Sequence, residues 1–200
     1  MTEEALEQRR SIIAEYDDEG LFVYQAFKPD IVEEAIRQGT FGKGFNLERM
    51  TWIKPSFGWM MYRSDYARAY RQEAISKIKL PHKAFLSILR RAVPTAFDRR
   101  IHSTEAEWRT ALRNTDVRVQ WDPDRDWQLR KLSRRAVQLG LQGAVVRHYV
   151  GSIIGLEDVT ALAHVCRQAS EEGADQPSSY PMEREYEVPE DVRRVLGIAE

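Results

Sequence analysis

Between Phe57 and Tyr62 the chain reads Phe-Gly-Trp-Met-Met-Tyr without a polar break. The run is too short for an ordinary globular helix, so the pattern predicts a strand covered on both faces at the centre of a sheet. The polar residues around it are Thr51, Lys54 and Ser56 before, and Arg63 and Ser64 after. Polar groups at the ends of a buried strand need partners, which makes them candidates for a site.

The rest of the pattern alternates between the two periods. Leu6, Ile12, Ile13 and Tyr16 predict a helix over 2–16, and residues 21–27 predict a strand. Asp30 with Glu33 resembles a capping pair that opens a helix with Ile31, Val32, Ala35 and Ile36 inward, stopped at Gly39. The loop 40–46 carries Gly42 and Gly44, a weak phosphate-loop signal. Ser64 is expected to cap a short helix to Tyr70, and 74–80 to form a strand. Pro81 opens a helix through Val93, and Thr104 with Glu107 opens another that buries Trp108, Ala111 and Leu112. Residues 117–121 form a strand ended by a helix corner at Asp122-Pro123, 137–141 a short strand, and 157–169 a helix that holds Cys166 in the core. A polar loop over 170–181 leads to a late strand over 182–189, with Glu183 and Glu185 along one edge. The expectation is one α+β domain over 1–200, with a mixed or antiparallel central sheet flanked by helices.

Composition narrows the function classes. With 42% hydrophobic and 30% charged residues, the pattern is that of a soluble protein, and no apolar run nears the roughly 18 residues of a membrane span. The acidic start, Met-Thr-Glu-Glu-Ala-Leu-Glu, lacks a secretory core, which predicts a cytoplasmic location. A single cysteine excludes intrachain disulfides, and the four histidines show no ligand spacing, so no metal is expected. The net charge of -1 gives no global attraction to nucleic acid, although Arg90, Arg91, Arg99 and Arg100, and Arg125 to Arg135, are locally basic.

Val-Tyr-Gln-Ala-Phe (23–27), Met-Thr-Trp-Ile-Lys-Pro-Ser-Phe (50–57), Trp-Met-Met-Tyr-Arg-Ser (59–64) and Gln-Trp-Asp-Pro-Asp-Arg (120–125) together resemble a family of uncharacterised bacterial and fungal proteins of about this length, labelled as of unknown function. More distantly, the layout is similar to that of ADP-ribosyltransferases. Those proteins place a His or Arg that meets the NAD ribose on the first strand, Ser or Tyr after an aromatic strand, and Glu-x-Glu on a late strand shortly before a proline. The counterparts here are Tyr24 and Gln25, Tyr62-Arg63-Ser64, and Glu183-Arg184-Glu185 before Pro189. Gln25 stands where His or Arg is usual, and Tyr-Arg-Ser replaces the usual serine-rich triplet.

The resemblance implies an ADP-ribosyltransferase-like fold and NAD as substrate. Glu185, Glu183 and Gln25 would be catalytic; Tyr24, Lys54, Trp59, Tyr62, Arg63 and Ser64 would bind the nucleotide. Cleavage between nicotinamide and ribose builds positive charge on the sugar, which a carboxylate stabilises. Lys54 or Arg63 would meet the pyrophosphate. The acceptor of ADP-ribose stays open between protein, nucleic acid, small molecule and water. Two other readings stand beside this one: a nucleic-acid module that stacks bases on Trp52, Trp59 and Trp121, and an inert domain that serves partner proteins.

Overall fold

The computed structural model describes residues 9–199. Of the helix expected over 2–16, residues 2–8 lie outside the described residues, and the remainder is extended: Ile13–Ala14 is a short strand, β1. Ile12 and Ala14 are both buried, a period of two that belongs to a strand. Strand β2 (Gly20–Phe27) follows, then helix α1 (Pro29–Gln38), which starts on its proline and stops at Gly39 in the left-handed region, φ 71°. Lys28, not Asp30, is the flanking residue, and Asp30 instead places its charge in the first turn.

Strand β3 is brief, Thr51–Ile53, and Phe57–Ser64 is helix α2, not the central strand that its apolar run predicts. Ser56 decides this. Its hydroxyl accepts from the Trp59 amide at 3.2 Å and caps the first turn, and Asp65 closes the last turn in the left-handed region. The helix is apolar on nearly all sides because nearly all sides are covered: Phe57, Gly58, Trp59, Met60, Met61 and Ser64 are buried. Ser64 ends α2 and opens no further helix. Its hydroxyl donates to the Met60 carbonyl at 2.9 Å, and Asp65, Tyr66, Ala67 and Arg71 follow with positive φ.

Strand β4 (Ala74–Pro81) leads into helix α3 (His82–Leu89), which ends before Ala92–Pro94 extends as strand β5. Helix α4 (Glu105–Asn114) is capped by Thr104 on the Glu107 amide, yet Trp108, Ala111 and Leu112 are only half-buried. Strand β6 (Val117–Arg125) runs through Asp122-Pro123, where a corner was expected. Proline is tolerated there because β5 pairs only as far as Val119, and the register shifts between Pro123 and Arg125. Strand β7 (Lys131–Leu141), helix α5 (Ala144–Gly151), strand β8 (Gly155–Asp158), helix α6 (Thr160–Glu172), strand β9 (Arg184–Glu185) and helix α7 (Glu190–Leu196) complete the fold. Residues 157–158 are thus strand, and the late strand is only two residues long. Cys166 is fully buried in α6, which pushes its thiol up to about 11.

The architecture is α+β with two main sheets. One is antiparallel, in the order β2-β4-β8; the other is mixed, β3-β7-β6-β5, with its single parallel pair between β5 and β6. The sheets meet at a seam where Tyr24 and Lys54 exchange backbone hydrogen bonds of 2.7 and 3.2 Å. The main core fills with Leu21, Val23, Ile53, Phe85, Val119 and Leu139, while Tyr24, Phe57, Met60, Met61 and Cys166 form a second cluster under α2. Among the described residues no helix is long and apolar enough to cross a membrane.

Candidate functional site

A cleft of about 1040 Å³ opens beside this seam. It is bounded by the end of β2 and the start of α1, by the loop into β3, by the exposed side of α2, and by β6 and β7. That volume lies at the upper end of the roughly 300–1,000 Å³ usual for ligand pockets, room for a dinucleotide. Among the described lining residues the charges are one-sided: Lys28, Arg49, Lys54, Arg63 and Arg71 against the single acid Asp122. Phe27, Phe45, Trp52, Trp59, Tyr62 and Tyr70 supply aromatic surface.

Lys54 is the most constrained of the cations. The two backbone hydrogen bonds of the seam fix its main chain, its residue is 7% exposed, and its ammonium makes no hydrogen bond among the described residues. Burial first, then the nearby Arg63 guanidinium, push it down from its ordinary 10.5 to about 8, with Asp122 opposing.

Asp122 itself is held from both sides. Gln120 Nε2 donates to Oδ1 at 2.9 Å and Gln138 Nε2 to Oδ2 at 2.6 Å, so each carboxylate oxygen carries an amide donor. The three side chains lie on neighbouring strands, with Gln120 opposite Gln138 in the β6–β7 register. Two neutral amide donors fix the orientation of the carboxylate.

Gln25 also lines the cleft, but its amide is committed. Nε2 donates to Thr51 Oγ1 at 2.6 Å and to the Trp52 carbonyl at 3.0 Å, and Oε1 accepts from the Tyr149 hydroxyl at 2.7 Å. It ties the two sheets together across the seam. Tyr24, its neighbour on β2, faces the other way, as consecutive strand residues must. The Tyr24 ring packs 5.1 Å from Phe57 in the second core cluster, and its hydroxyl points to Glu15.

Of the residues named from sequence, the structure brings Gln25, Lys54, Trp59, Tyr62 and Arg63 together on this cleft. Tyr24, Ser64, Glu183 and Glu185 are not among its lining residues. Ser64 is fully buried in the last turn of α2. Glu185 pairs with Arg9 at 2.7 Å, with 42% of its side chain exposed. Glu183 instead meets the start of α2, where its carboxylate accepts the Phe57 amide, and burial pushes it up to about 8. Trp59 and Tyr62 stack on each other, centroids 5.2 Å apart, and the Arg125 guanidinium lies 4.0 Å from the Tyr62 ring. Trp52 is the aromatic placed flat against the sheet: a Cβ at Gly140 would come within 2.9 Å of its ring.

Asp122, Gln120, Gln138, Arg49 and Arg71 were not named as site residues from sequence; Asp122 was read as a helix corner, and it and Gln120 only as part of the 120–125 motif. For the first two the signal was present, because a continuous strand over 120–125 puts Gln120 and Asp122 on one face. The Asp-Pro step hid it by resembling a helix start. Among the described residues no group of three or more His, Cys, Asp or Glu is placed to hold a metal ion.

The chain belongs to the family described as a domain of unknown function (DUF4291), which it matches over residues 11–186. No curated protein matches it.

Proposed function

We propose that this cleft binds NAD and that the protein is an ADP-ribosyltransferase-like enzyme, cleaving the bond between nicotinamide and ribose and passing ADP-ribose to an acceptor. The observation that carries the reading is the charge imbalance of the lining, among the described residues five cations against one carboxylate held by two glutamines. A pyrophosphate is the ligand group such cations fit: Arg63 lies close enough to Lys54 to disfavour the lysine's charge, and an anion shared by the two relieves that repulsion. Trp52 offers a face to one of the ligand's rings, with Tyr70 at the rim, 84% exposed.

The carboxylate role that the resemblance gives to Glu185 passes to Asp122 in this reading. As nicotinamide leaves, positive charge grows on the ribose, and a carboxylate already oriented by Gln120 and Gln138 stabilises it without reorganising. The ionic partner of Glu185 is Arg9, outside the cleft lining.

Nicotinamide release from NAD by purified protein tests this directly. Asp122→Asn is expected to lower the rate on the order of a hundredfold or more, the scale of losing one electrostatic contact made chiefly in the transition state, while Glu185→Ala leaves the rate within about threefold. Equal losses in the two variants would return the role to the late strand. Absence of release, together with binding to single-stranded RNA that weakens steeply with salt, would favour the stacking module, for which the exposed Tyr70 beside Trp52 is the supporting feature.

A further inference from the structure

We infer that the Lys54 amine is a nucleophile that forms an imine with the aldehyde carbon of a phosphorylated sugar held in the cleft. The inference rests on the reading above only in taking the ligand to carry phosphate; it does not require that NAD be the substrate. Of the seven lysines in the chain, Lys54 alone is buried. Lys77 and Lys79 form ion pairs with acids at 2.7 Å or less, whereas the Lys54 ammonium has no hydrogen-bond partner among the described residues and opens on the cleft.

Two conditions make a lysine nucleophilic at neutral pH: loss of hydration, and a second cation nearby that disfavours the charged form. Lys54 meets both, through burial and Arg63, and its pKa near 8 leaves an appreciable fraction of free amine. The Lys54 backbone is pinned at the seam, and Arg63, which shares the cleft lining, is the cation that acts on its ammonium. A sugar phosphate held by Arg49, Arg63 and Arg71, and not by Lys54 itself, would leave the sugar's first carbon, in its ring-opened form, within the same walls as the free amine. Released ADP-ribose is one sugar of this class, since its free C1 opens to an aldehyde.

The step balances without a further reagent. The nitrogen lone pair forms a bond to the aldehyde carbon as the C=O π pair moves onto oxygen, and one of the amine's two protons passes to that oxygen to give a neutral carbinolamine. A second proton lets that oxygen depart as water, and loss of the remaining N–H proton, or its retention, gives the imine or its iminium form. Hydrolysis reverses each bond and restores the lysine. Asp122, whose charge acts on Lys54, is the acid nearest in effect for these transfers.

Pyridoxal 5'-phosphate is the probe, because it joins an aldehyde to a phosphate and its imine is fixed by borohydride as a stable secondary amine. Treatment of the whole protein with an equimolar amount, reduction and peptide mapping are expected to place one adduct on Lys54. ADP-ribose added first should lower that labelling at least tenfold, and pyridoxal without its phosphate should label Lys54 at least tenfold less. Lys54→Met should lose the adduct; because mapping of the unaltered protein is itself decisive, poor folding of that variant does not block the test. Labelling confined to exposed lysines such as Lys43 and Lys83, with Lys54 untouched, would overturn the inference. Labelling of Lys54 with no effect of NAD on the protein would uphold the imine and remove NAD from the account. Protection of the fold by NAD without any adduct would do the reverse.

Discussion

Replacing Lys54 by methionine should make the ligand-free protein more stable, and the size of the gain follows from the site. The residue is 7% exposed, its ammonium has no hydrogen-bond partner among the described residues, and burial plus Arg63 bring it from 10.5 to about 8. Each pK unit of displacement is about 1.4 kcal/mol, so keeping this lysine charged in the fold costs about 3 kcal/mol at pH 7. Methionine fills a similar volume, carries no charge, and leaves no new polar group unpaired. The sign with pH is opposite to that of a lysine stabilised by an acid. Below pH 8 both folded and unfolded chains hold the proton and the whole cost is present. Between 8 and 10.5 the unfolded chain binds more protons, so stability of the unaltered protein rises with pH, and above 10.5 the cost is gone. Urea unfolding at a series of pH values reads this out. A gain of this size moves the midpoint by roughly 1 to 3 M at pH 7 for m-values typical of small proteins, shrinking toward zero near pH 11. A variant that is less stable than its parent at pH 7, or a difference that does not change with pH, would refute the reasoning that burial and Arg63 outweigh Asp122 at Lys54.

Two further outcomes follow from the packing around α2. Gly58→Ala should destabilise the fold by about 1–3 kcal/mol in the same denaturation assay, because its new Cβ would overlap the Arg125 carbonyl oxygen, a backbone atom that cannot turn aside. Glu183→Gln should flatten the pH dependence of stability between pH 4.5 and 8: the folded carboxyl holds its proton up to about 8 while the unfolded one releases it near 4.5, so the parent loses stability as pH rises through that window and the glutamine variant does not.

The elements that the sequence displayed clearly were those whose local signals agreed. Strand β2, helix α1 up to Gly39, and strand β4 each combined one period with a matching stop, and they appear within a residue or so of their expected bounds. Phe57–Ser64 failed because an apolar run covered on nearly every side has no period to read; the deciding feature was the Ser56 cap, which lies outside the run. Asp122-Pro123 failed for the converse reason, a strong local motif overridden by a long antiparallel pairing with β7. The site suffered the same way. Lys54 was found because it just precedes α2, and Trp59, Tyr62 and Arg63 because they lie within it, which holds whether the segment is strand or helix. Tyr24 and Gln25 could not both face one cleft, being consecutive on a strand, and Glu183 and Glu185 depended on a late strand that pairs with β1 away from the cleft lining. Asp122 needed the β6–β7 register, which places Gln138 within reach, and no spacing along the chain records that.

A phosphate of NAD seated on Lys54 would draw a proton onto the amine, so proton uptake during binding reports that contact. Calorimetric titration of NAD at pH 8, in two buffers that differ in heat of ionisation, counts the protons taken up. A group titrating near 8 is half protonated there, and a phosphate beside it completes the protonation, so about half a proton should be bound with each NAD. At pH 6 the uptake should fall close to zero, and in Lys54→Met it should vanish. Binding of NAD at pH 8 with no proton uptake, or no binding at all, would contradict the account.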